Sequence, residues 1–153
     1  MTVLLDVNLL FVLHQPLHPD YKLASQWFLR NQGKPFASCP MTQSGLMRLL
    51  LQGIGGLTPF DMQEACDALQ HFIEQPGHVF WPDTPAYLDS AKTLLPRMQG
   101  HRQITDAYLL GLAIHNKGKL ATLDRGILHL AGKEFAANVE VIEASATFRA
   151  SVS

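Results

Sequence analysis

Three aspartates lie where predicted secondary structure begins or ends, and carboxylates at such positions can support metal-dependent chemistry. Asp6 interrupts the apolar run LLDVNLLFVL, Asp106 lies at the start of a predicted helix, and Asp124 directly follows a predicted strand. A carboxylate inside an apolar segment is costly unless it is paired, binds a metal or reaches the surface where a strand ends. The position of Asp6 therefore predicts a strand-end site or a buried partner.

If these three carboxylates meet in one crevice, they would favour a divalent cation. Charges of the same sign a few ångströms apart repel by several kcal/mol at an effective dielectric constant of about 20, and a bound cation relieves that repulsion. Oxygen ligands favour Mg²⁺ or Mn²⁺, and the two cysteines and seven histidines show no zinc-ligand spacing. We therefore expect Asp6, Asp106 and Asp124 to bind Mg²⁺, with Mn²⁺ as a substitute.

Each aspartate also has a purely local interpretation. Asp6 can cap the short helix that follows it, Asp106 can offset the helix dipole in the first turn, and Asp124 can form a turn. The residues alone leave these interpretations open.

Short apolar strands alternate with helices along the chain. The predicted strands cover residues 2–5, 36–39, 78–81, 120–123 and 139–142. The predicted helices cover residues 8–13, 21–30, 41–51 and 105–116, and two more begin at Thr58-Pro59 and Thr84-Pro85. This alternation favours a parallel sheet with helices on both faces, and ligand sites in such folds lie outside the carboxyl ends of the strands. Asp6 and Asp124 are both predicted to lie there.

The composition indicates one compact domain over residues 1–153. Hydrophobic residues make up 47% of the chain, charged residues 16%, and the formal net charge is −1. This balance does not indicate a nucleic-acid or membrane surface, so any phosphate-binding region must be local. No apolar stretch approaches the roughly 18 residues that span a bilayer, and no basic leader precedes the first strand. We expect a cytoplasmic protein with reduced cysteines and no membrane partner.

Four segments, in order and spacing, resemble the PIN-domain ribonucleases, and specifically the VapC-type toxins of toxin–antitoxin pairs. They are LLDVNLLFVL at residues 4–13, ASCPMTQSGLMRLL at 37–50, ITDAYLLGLAIHNKGKLATLDRGI at 104–127 and the strand at 139–142. The resemblance implies a PIN-like three-layer α/β/α fold with about five parallel strands. It also implies a Mg²⁺-dependent endoribonuclease that cleaves RNA, forms a homodimer and binds a cognate antitoxin. Asp6, Asp106 and Asp124 match three acidic positions of the family.

The fourth acidic position of the family is occupied by Gln43, where Glu is more common. An amide can offer a carbonyl oxygen to a metal or to water, but it brings no charge. The site then carries three formal negative charges instead of four. We assign Gln43 to the catalytic site together with the three aspartates.

Other polar residues are expected to support this site. Those expected to hold the carboxylates or a water molecule are Asn8, Thr105 and Thr122. Helix capping and strand propensity are the alternative roles of the two threonines. Candidates for binding the RNA backbone are Arg48, Arg97, Arg102 and Arg125, because phosphate contacts supply much of such affinity. An ordinary surface role for each arginine stays open.

Two other functions are compatible with the residues. A PIN fold that lacks the Glu can act as a non-catalytic RNA-binding module, and Gln43 motivates this alternative. A phosphatase with Asp6 as its nucleophile is disfavoured, because Asn8 occupies the position where such enzymes usually have a second carboxylate. The apolar helices at residues 9–30 and 41–51 suit either the protein core or an interface with a second copy or an antitoxin.

Overall fold

The structure, a computed structural model, describes residues 1–143 as five parallel strands covered by helices. The strands form one sheet in the order β3-β2-β1-β4-β5. They are β1 (Val3–Leu5), β2 (Phe36–Ser38), β3 (His78–Phe80), β4 (Lys119–Thr122) and β5 (Val139–Val141). The predicted α/β class and the five parallel strands are confirmed. The last ten residues of the predicted 1–153 domain lie outside the described part.

Seven α-helices connect these strands within residues 1–143. They are α1 (Val7–Leu13), α2 (Tyr21–Arg30), α3 (Pro40–Gln52), α4 (Met62–Ile73), α5 (Tyr87–Ala91), α6 (Ile104–His115) and α7 (Ile127–Ala131). The helix α7 was not predicted, because five residues are too few to show helical periodicity. The helix α5 has only five residues, and a 3₁₀ turn at Leu95–Arg97 follows it. Pro96 lacks the backbone N–H that a continuing helix needs.

The two helix starts predicted from threonine–proline pairs are wrong. The helix α4 begins three residues after Pro59, and Asp61 is its N-cap. The Asp61 carboxylate accepts from Glu64 N at 2.8 Å, and Glu64 accepts from Asp61 N at 3.1 Å. This reciprocal cap satisfies two backbone donors, which a threonine before a proline does not. The helix α5 likewise begins at Tyr87, after Pro85.

Two hydrophobic clusters bury the opposite faces of the sheet. Leu4 and Leu120 face the cluster that contains α6, whereas Leu5 and Ala121 face the cluster formed with α1 to α4. Successive strand residues point to opposite faces, so each strand contributes to both clusters. The predicted three-layer α/β/α arrangement is therefore confirmed. No helix among residues 1–143 is both long and apolar enough to cross a membrane.

Much of the apolar surface of α1, α2 and α3 belongs to the core. The buried residues of these helices include Leu9, Leu10, Phe11, Val12, Ala24, Trp27, Leu46 and Leu50. Of the two roles left open for residues 9–30 and 41–51, the core therefore accounts for these side chains.

The strand order brings the ends of β1 and β4 side by side. Leu5 pairs with Ala121, and Asp6 N donates to Ala121 O at 2.9 Å. Asp6 and Thr122 therefore leave the sheet together although 116 residues separate them. The edge formed by the carboxyl ends of the strands is where the candidate site lies.

Candidate active site

Asp6 is a buried carboxylate whose two oxygens are both hydrogen-bonded. Its side chain is 6% exposed. Oδ1 accepts from Val7 N at 2.7 Å, and Oδ2 accepts from Thr122 Oγ1 at 2.6 Å. Asp6 is also the N-cap of α1. The local capping role and the strand-end position predicted for Asp6 therefore hold at once.

Thr122 connects two of the aspartates. Its fully buried hydroxyl donates to Asp6 Oδ2 and accepts from Asp124 N at 3.1 Å. One side chain thus fixes the orientation of the Asp6 carboxylate and the path of the backbone at Asp124. This geometry is that of the supporting role expected for Thr122.

Replacement of Thr122 by Val is expected to lower the free energy of unfolding by about 1–3 kcal/mol, because a buried carboxylate oxygen loses its donor. The pKa of Asp6 should also rise further, since the Thr122 hydrogen bond lowers it. Urea denaturation at pH 7 measures the first effect. Thr84→Val, at an exposed loop position, is the matched control. Equal stability of the two variants would contradict the bridging role.

The other two aspartates are less constrained by hydrogen bonds. Asp124 is exposed, and its Oδ1 accepts from Gly126 N at 2.8 Å, which is the turn predicted as its local role. Asp106 lies in the first turn of α6 and is partly buried. Within residues 1–143, its carboxylate accepts no hydrogen bond. Asp106 is therefore the aspartate whose charge is least compensated.

Electrostatic interactions show that the three aspartates share one site. Burial is the main cause that raises the pKa of Asp106 to about 6, and the charges of Asp6 and Asp124 raise it further. The pKa of Asp6 is also raised, mainly by burial, with the charge of Asp124 adding to it. Hydrogen bonds from Thr122 and Val7 act in the opposite direction. The carboxylates thus repel one another across the ends of β1 and β4.

The donor set fits a hard divalent cation, although the side chains do not already form a cage. Residues 1–143 contain no group of three or more His, Cys, Asp or Glu side chains arranged to hold a metal. The carboxylates that repel one another are nevertheless oxygen donors of the kind that Mg²⁺ and Mn²⁺ prefer. A cation would relieve the repulsion that raises the pKa of Asp106.

The repulsion predicts how stability depends on pH in the metal-free protein. The pKa of Asp106 is about 6 in the fold against 3.8 for an unperturbed Asp. The native state therefore binds more protons between these values, and the free energy of unfolding falls as pH rises through them. The free energy of unfolding of Asp106→Asn should therefore fall by about 1–2 kcal/mol less than that of wild type over this pH range, after discounting for the partial exposure of the carboxylate.

Urea denaturation in EDTA at pH 4, 5, 6 and 7 measures this effect as the difference between wild type and Asp106→Asn. The difference is needed because the pKa values of His14 and His78 are lowered by burial, which makes stability rise with pH in the same window. Asp89→Asn, at an exposed position of α5, is the control. A constant difference between wild type and Asp106→Asn across the four pH values would contradict the raised pKa.

The remaining predicted site residues are placed as follows. Gln43 lies near the start of α3, and its Nε2 donates to Ser38 Oγ at 3.0 Å. Asn8 and Asp124 line one cavity of about 300 Å³ beside the ends of β1 and β4. Thr105 is exposed in the first turn of α6. The supporting roles of Asn8 and Thr105 stay predictions.

The four arginines differ in how they are engaged. Arg97 pairs with Glu134 at 2.9 Å and donates to Ala131 O at 3.0 Å, and Arg125 pairs with Glu143. The other two, Arg48 and Arg102, are exposed and make no ion pair within residues 1–143. RNA binding stays a prediction for all four, and Arg48 and Arg102 are the more available to a phosphate.

Two polar residues connected to Gln43, one directly and the other through the first, were missed in the sequence. Ser38 contacts Gln43 directly, and His78 Nε2 lies 2.7 Å from Ser38 Oγ. Ser38 is fully buried at the end of β2, and His78 begins β3. Nothing in the local sequence pairs these residues, because the contact depends on β2 and β3 being neighbours.

Comparison with known proteins shows the family of the chain, although no family model matches it. Ribonuclease VapC29 of Mycobacterium tuberculosis is 40% identical over 132 residues, which cover 86% of this chain and 92% of that protein. Ribonuclease VapC44 of the same species is 35% identical, with coverages of 83% and 89%. Ribonuclease VapC39, also from this species, is 31% identical, with coverages of 93% and 100%.

The fold is also found in a solved structure. VapBC2 from Rickettsia felis, crystallised with a DNA fragment from its promoter, contains a chain with a TM-score of 0.63 at 12% identity. The match covers 94% of this chain and 100% of that chain. The fold is PIN-like. The identities to the mycobacterial proteins show that the chain belongs to the VapC ribonucleases.

Proposed function

We propose that this protein is a Mg²⁺-dependent endoribonuclease and the toxin of a toxin–antitoxin pair. The observation that carries the proposal is the mutual repulsion of Asp6, Asp106 and Asp124 at the ends of β1 and β4. Three carboxylates held together against their repulsion are unfavourable unless a cation binds there. The relatives that are named ribonucleases support RNA as the substrate.

The three aspartates would hold the cation at the mouth of the crevice. When bound, Mg²⁺ would polarise the phosphoryl group and lower the pKa of the attacking water. Thr122 and Val7 N hold the Asp6 carboxylate in one orientation, so this ligand needs little rearrangement on binding. Asp106, whose pKa is about 6, takes up a proton as the pH falls to about 6 when no cation is present. Cation binding should therefore release a proton from Asp106.

The rest of the RNA must be held by local positive charge, because the net charge of the chain is −1. Arg48 on α3 and Arg102 in the turn before α6 are exposed cations available for phosphate contacts. Such contacts position the backbone without selecting a sequence. The resemblance implies products with a 5′-phosphate and a 3′-hydroxyl.

A cognate antitoxin and a second copy of the chain are the proposed protein partners, with the cytoplasm as the site of action. The solved VapBC2 structure is named as a complex of both components with promoter DNA, which supports an antitoxin for this chain. An interface requires exposed apolar side chains. Within residues 1–143 these include Leu17, Ile54, Leu88 and Ile104.

Induced expression in a bacterial host tests the toxin role. Wild type should arrest growth, Asp106→Asn should not, and co-expression of the gene next to that of the toxin should restore growth. Total RNA from arrested cells should contain new fragments with 5′-phosphate ends. Growth arrest that persists with Asp106→Asn would contradict cleavage at this site. RNA binding without cleavage by the purified wild type would favour the non-catalytic alternative that Gln43 motivates.

A further inference from the structure

Gln43 is held at the start of α3 by a side chain from the end of β2. The helix α3 begins at Pro40, directly after Cys39, whose backbone N–H is bound by Thr42 Oγ1 at 3.0 Å. This cap fixes the first turn of α3. Gln43 Nε2 then reaches back to Ser38 Oγ at 3.0 Å. Leu4 of β1 pairs with Ala37 of β2, so this turn lies next to the strand that ends at Asp6.

The Ser38 hydroxyl has a second partner on the neighbouring strand. Phe36 pairs with His78, so Ser38 and His78 lie diagonally opposite on one face of the sheet. Ser38 Oγ and His78 Nε2 are 2.7 Å apart. The imidazole packs against the rings of Phe36 and Phe72, each with a centroid distance of 5.7 Å. Two hydrogen bonds therefore connect Gln43 to His78 through the Ser38 hydroxyl.

The directions of these two hydrogen bonds follow from the number of protons that the three side chains carry. Ser38 has one hydroxyl proton, is fully buried, and contacts only Gln43 and His78 through its hydroxyl within residues 1–143. Because Gln43 Nε2 donates to Ser38, the serine proton must be donated to His78 Nε2. That nitrogen then accepts, and the imidazole carries its proton on Nδ1. The amide oxygen Oε1 of Gln43 is left as the unpaired acceptor.

We infer that Ser38 and His78 orient the Gln43 amide so that its carbonyl oxygen, and not its NH₂ group, is the end available to the acidic crevice. His78 is thus a positioning residue that acts through Ser38. The inference deepens the proposed function, because an oxygen can accept from a water or contact a cation whereas an NH₂ group repels a cation. It accounts for how a neutral amide serves at a position where the family commonly has a carboxylate.

The reverse orientation requires a proton on Nε2 of His78, which either the neutral Nε2–H tautomer or the protonated imidazole would carry. A charged His78 would donate from Nε2 to Ser38 Oγ, and the serine proton would then need Gln43 Oε1 as its acceptor. The amide would turn by 180° and point its NH₂ group outward. Burial lowers the pKa of His78, and no charged side chain on the packed elements contributes to that shift. The imidazole is therefore neutral at neutral pH, and the contact from Gln43 Nε2 to Ser38 Oγ selects its Nδ1–H tautomer, in which the amide oxygen points outward.

Two substitutions of His78 separate the effect of the hydrogen bonds from the effect of ring packing. His78→Phe keeps an aromatic ring against Phe36 and Phe72 but removes the acceptor. His78→Gln loses the ring but can place Oε1 where Nε2 stood, with no titration. Ser38→Ala removes the hydroxyl that connects Gln43 to His78.

The first readout is NMR of the Gln43 side-chain amide in metal-free protein, with the signals assigned by their loss in Gln43→Glu. Slow hydrogen exchange of these protons is expected in wild type and His78→Gln, and fast exchange in His78→Phe and Ser38→Ala. When the pH is lowered far enough to protonate His78, the protection should be lost in wild type but retained in His78→Gln. This readout needs neither metal nor RNA, so it stands apart from the proposed function.

The second readout is Mg²⁺ affinity by calorimetry at pH 7. Loss of these hydrogen bonds in His78→Phe and Ser38→Ala should weaken Mg²⁺ binding about tenfold, as is found when hydrogen-bond partners of metal ligands are removed. His78→Gln should stay within about twofold of wild type. Fast amide exchange in wild type, or protection that survives in His78→Phe but fails in His78→Gln, would overturn the inference in favour of ring packing. If wild type shows normal amide protection but does not bind Mg²⁺, the hydrogen bonds to Gln43 are present as inferred. That result would contradict the proposed function instead.

Discussion

Asp106→Asn is expected to lower the rate of RNA cleavage by about 100- to 10,000-fold, the range found when a charged group of a catalytic centre is removed. The physical reason is that Asp106 would contribute a negative charge to the cation site, and its carboxylate accepts no hydrogen bond within residues 1–143 that would give it a capping role. The same substitution should leave the metal-free protein as stable as wild type or more stable, since the charges of Asp6 and Asp124 raise the pKa of Asp106.

This combination separates catalysis from folding more cleanly than substitution of Asp6. Asp6 caps α1 and accepts from buried Thr122, so Asp6→Asn perturbs structure and activity together. Cleavage of a fluorescent RNA and urea denaturation measure the two properties of Asp106→Asn. The control is Asp89→Asn, which should keep full activity. Asp106→Asn with more than about half of wild-type activity would exclude Asp106 from the catalytic site.

Removal of divalent cations by EDTA should abolish cleavage, and Mg²⁺ or Mn²⁺ should restore it. Binding should also stabilise the fold, because the cation binds the native carboxylate cluster and not the unfolded chain. At a cation concentration one hundred times the Kd, the gain is about 2.7 kcal/mol. For a chain of this length it corresponds to a rise in Tm of about 5–10 °C. Differential scanning calorimetry with and without Mg²⁺ measures the shift.

The comparison of variants makes the metal prediction specific to the site. Asp106→Asn and Asp124→Asn should each show a smaller Tm rise with Mg²⁺ than wild type, whereas Asp89→Asn should show the full rise. Cleavage unaffected by EDTA, or an equal rise in all four proteins, would mean that the carboxylates at the ends of β1 and β4 do not bind the cation.

Local features of the sequence were sufficient to predict the strands and the positions of the three aspartates relative to strand and helix ends. The short apolar patterns act over only a few residues, so the five strands were identified within one or two residues of their ends. Asp6 and Asp124 were placed at strand ends, and Asp106 at the start of a helix, by the same short-range signals. The parallel architecture followed from the alternation of strands and helices.

Local competition between signals explains the errors at helix ends. Thr58-Pro59 matches a common helix start, yet the reciprocal cap of Asp61 and Glu64 lies three residues further on and satisfies two donors. Asp61 and Glu64 have the spacing of a capping box, so the correct helix start was also present as a local signal in the sequence and was missed.

The chemical state of the site was decided only by the tertiary structure. The strand order places β4 beside β1 and β3 beside β2, and these nonlocal pairings bring Thr122 to Asp6 and His78 to Ser38. The raised pKa of Asp106 and the direction of the hydrogen bonds to Gln43 both depend on such neighbours. Burial and distance set these energies, and residues far apart in the chain acquire a distance only when the sheet forms. The sequence thus determined which groups were available for catalysis, and the fold determined their partners and their charges.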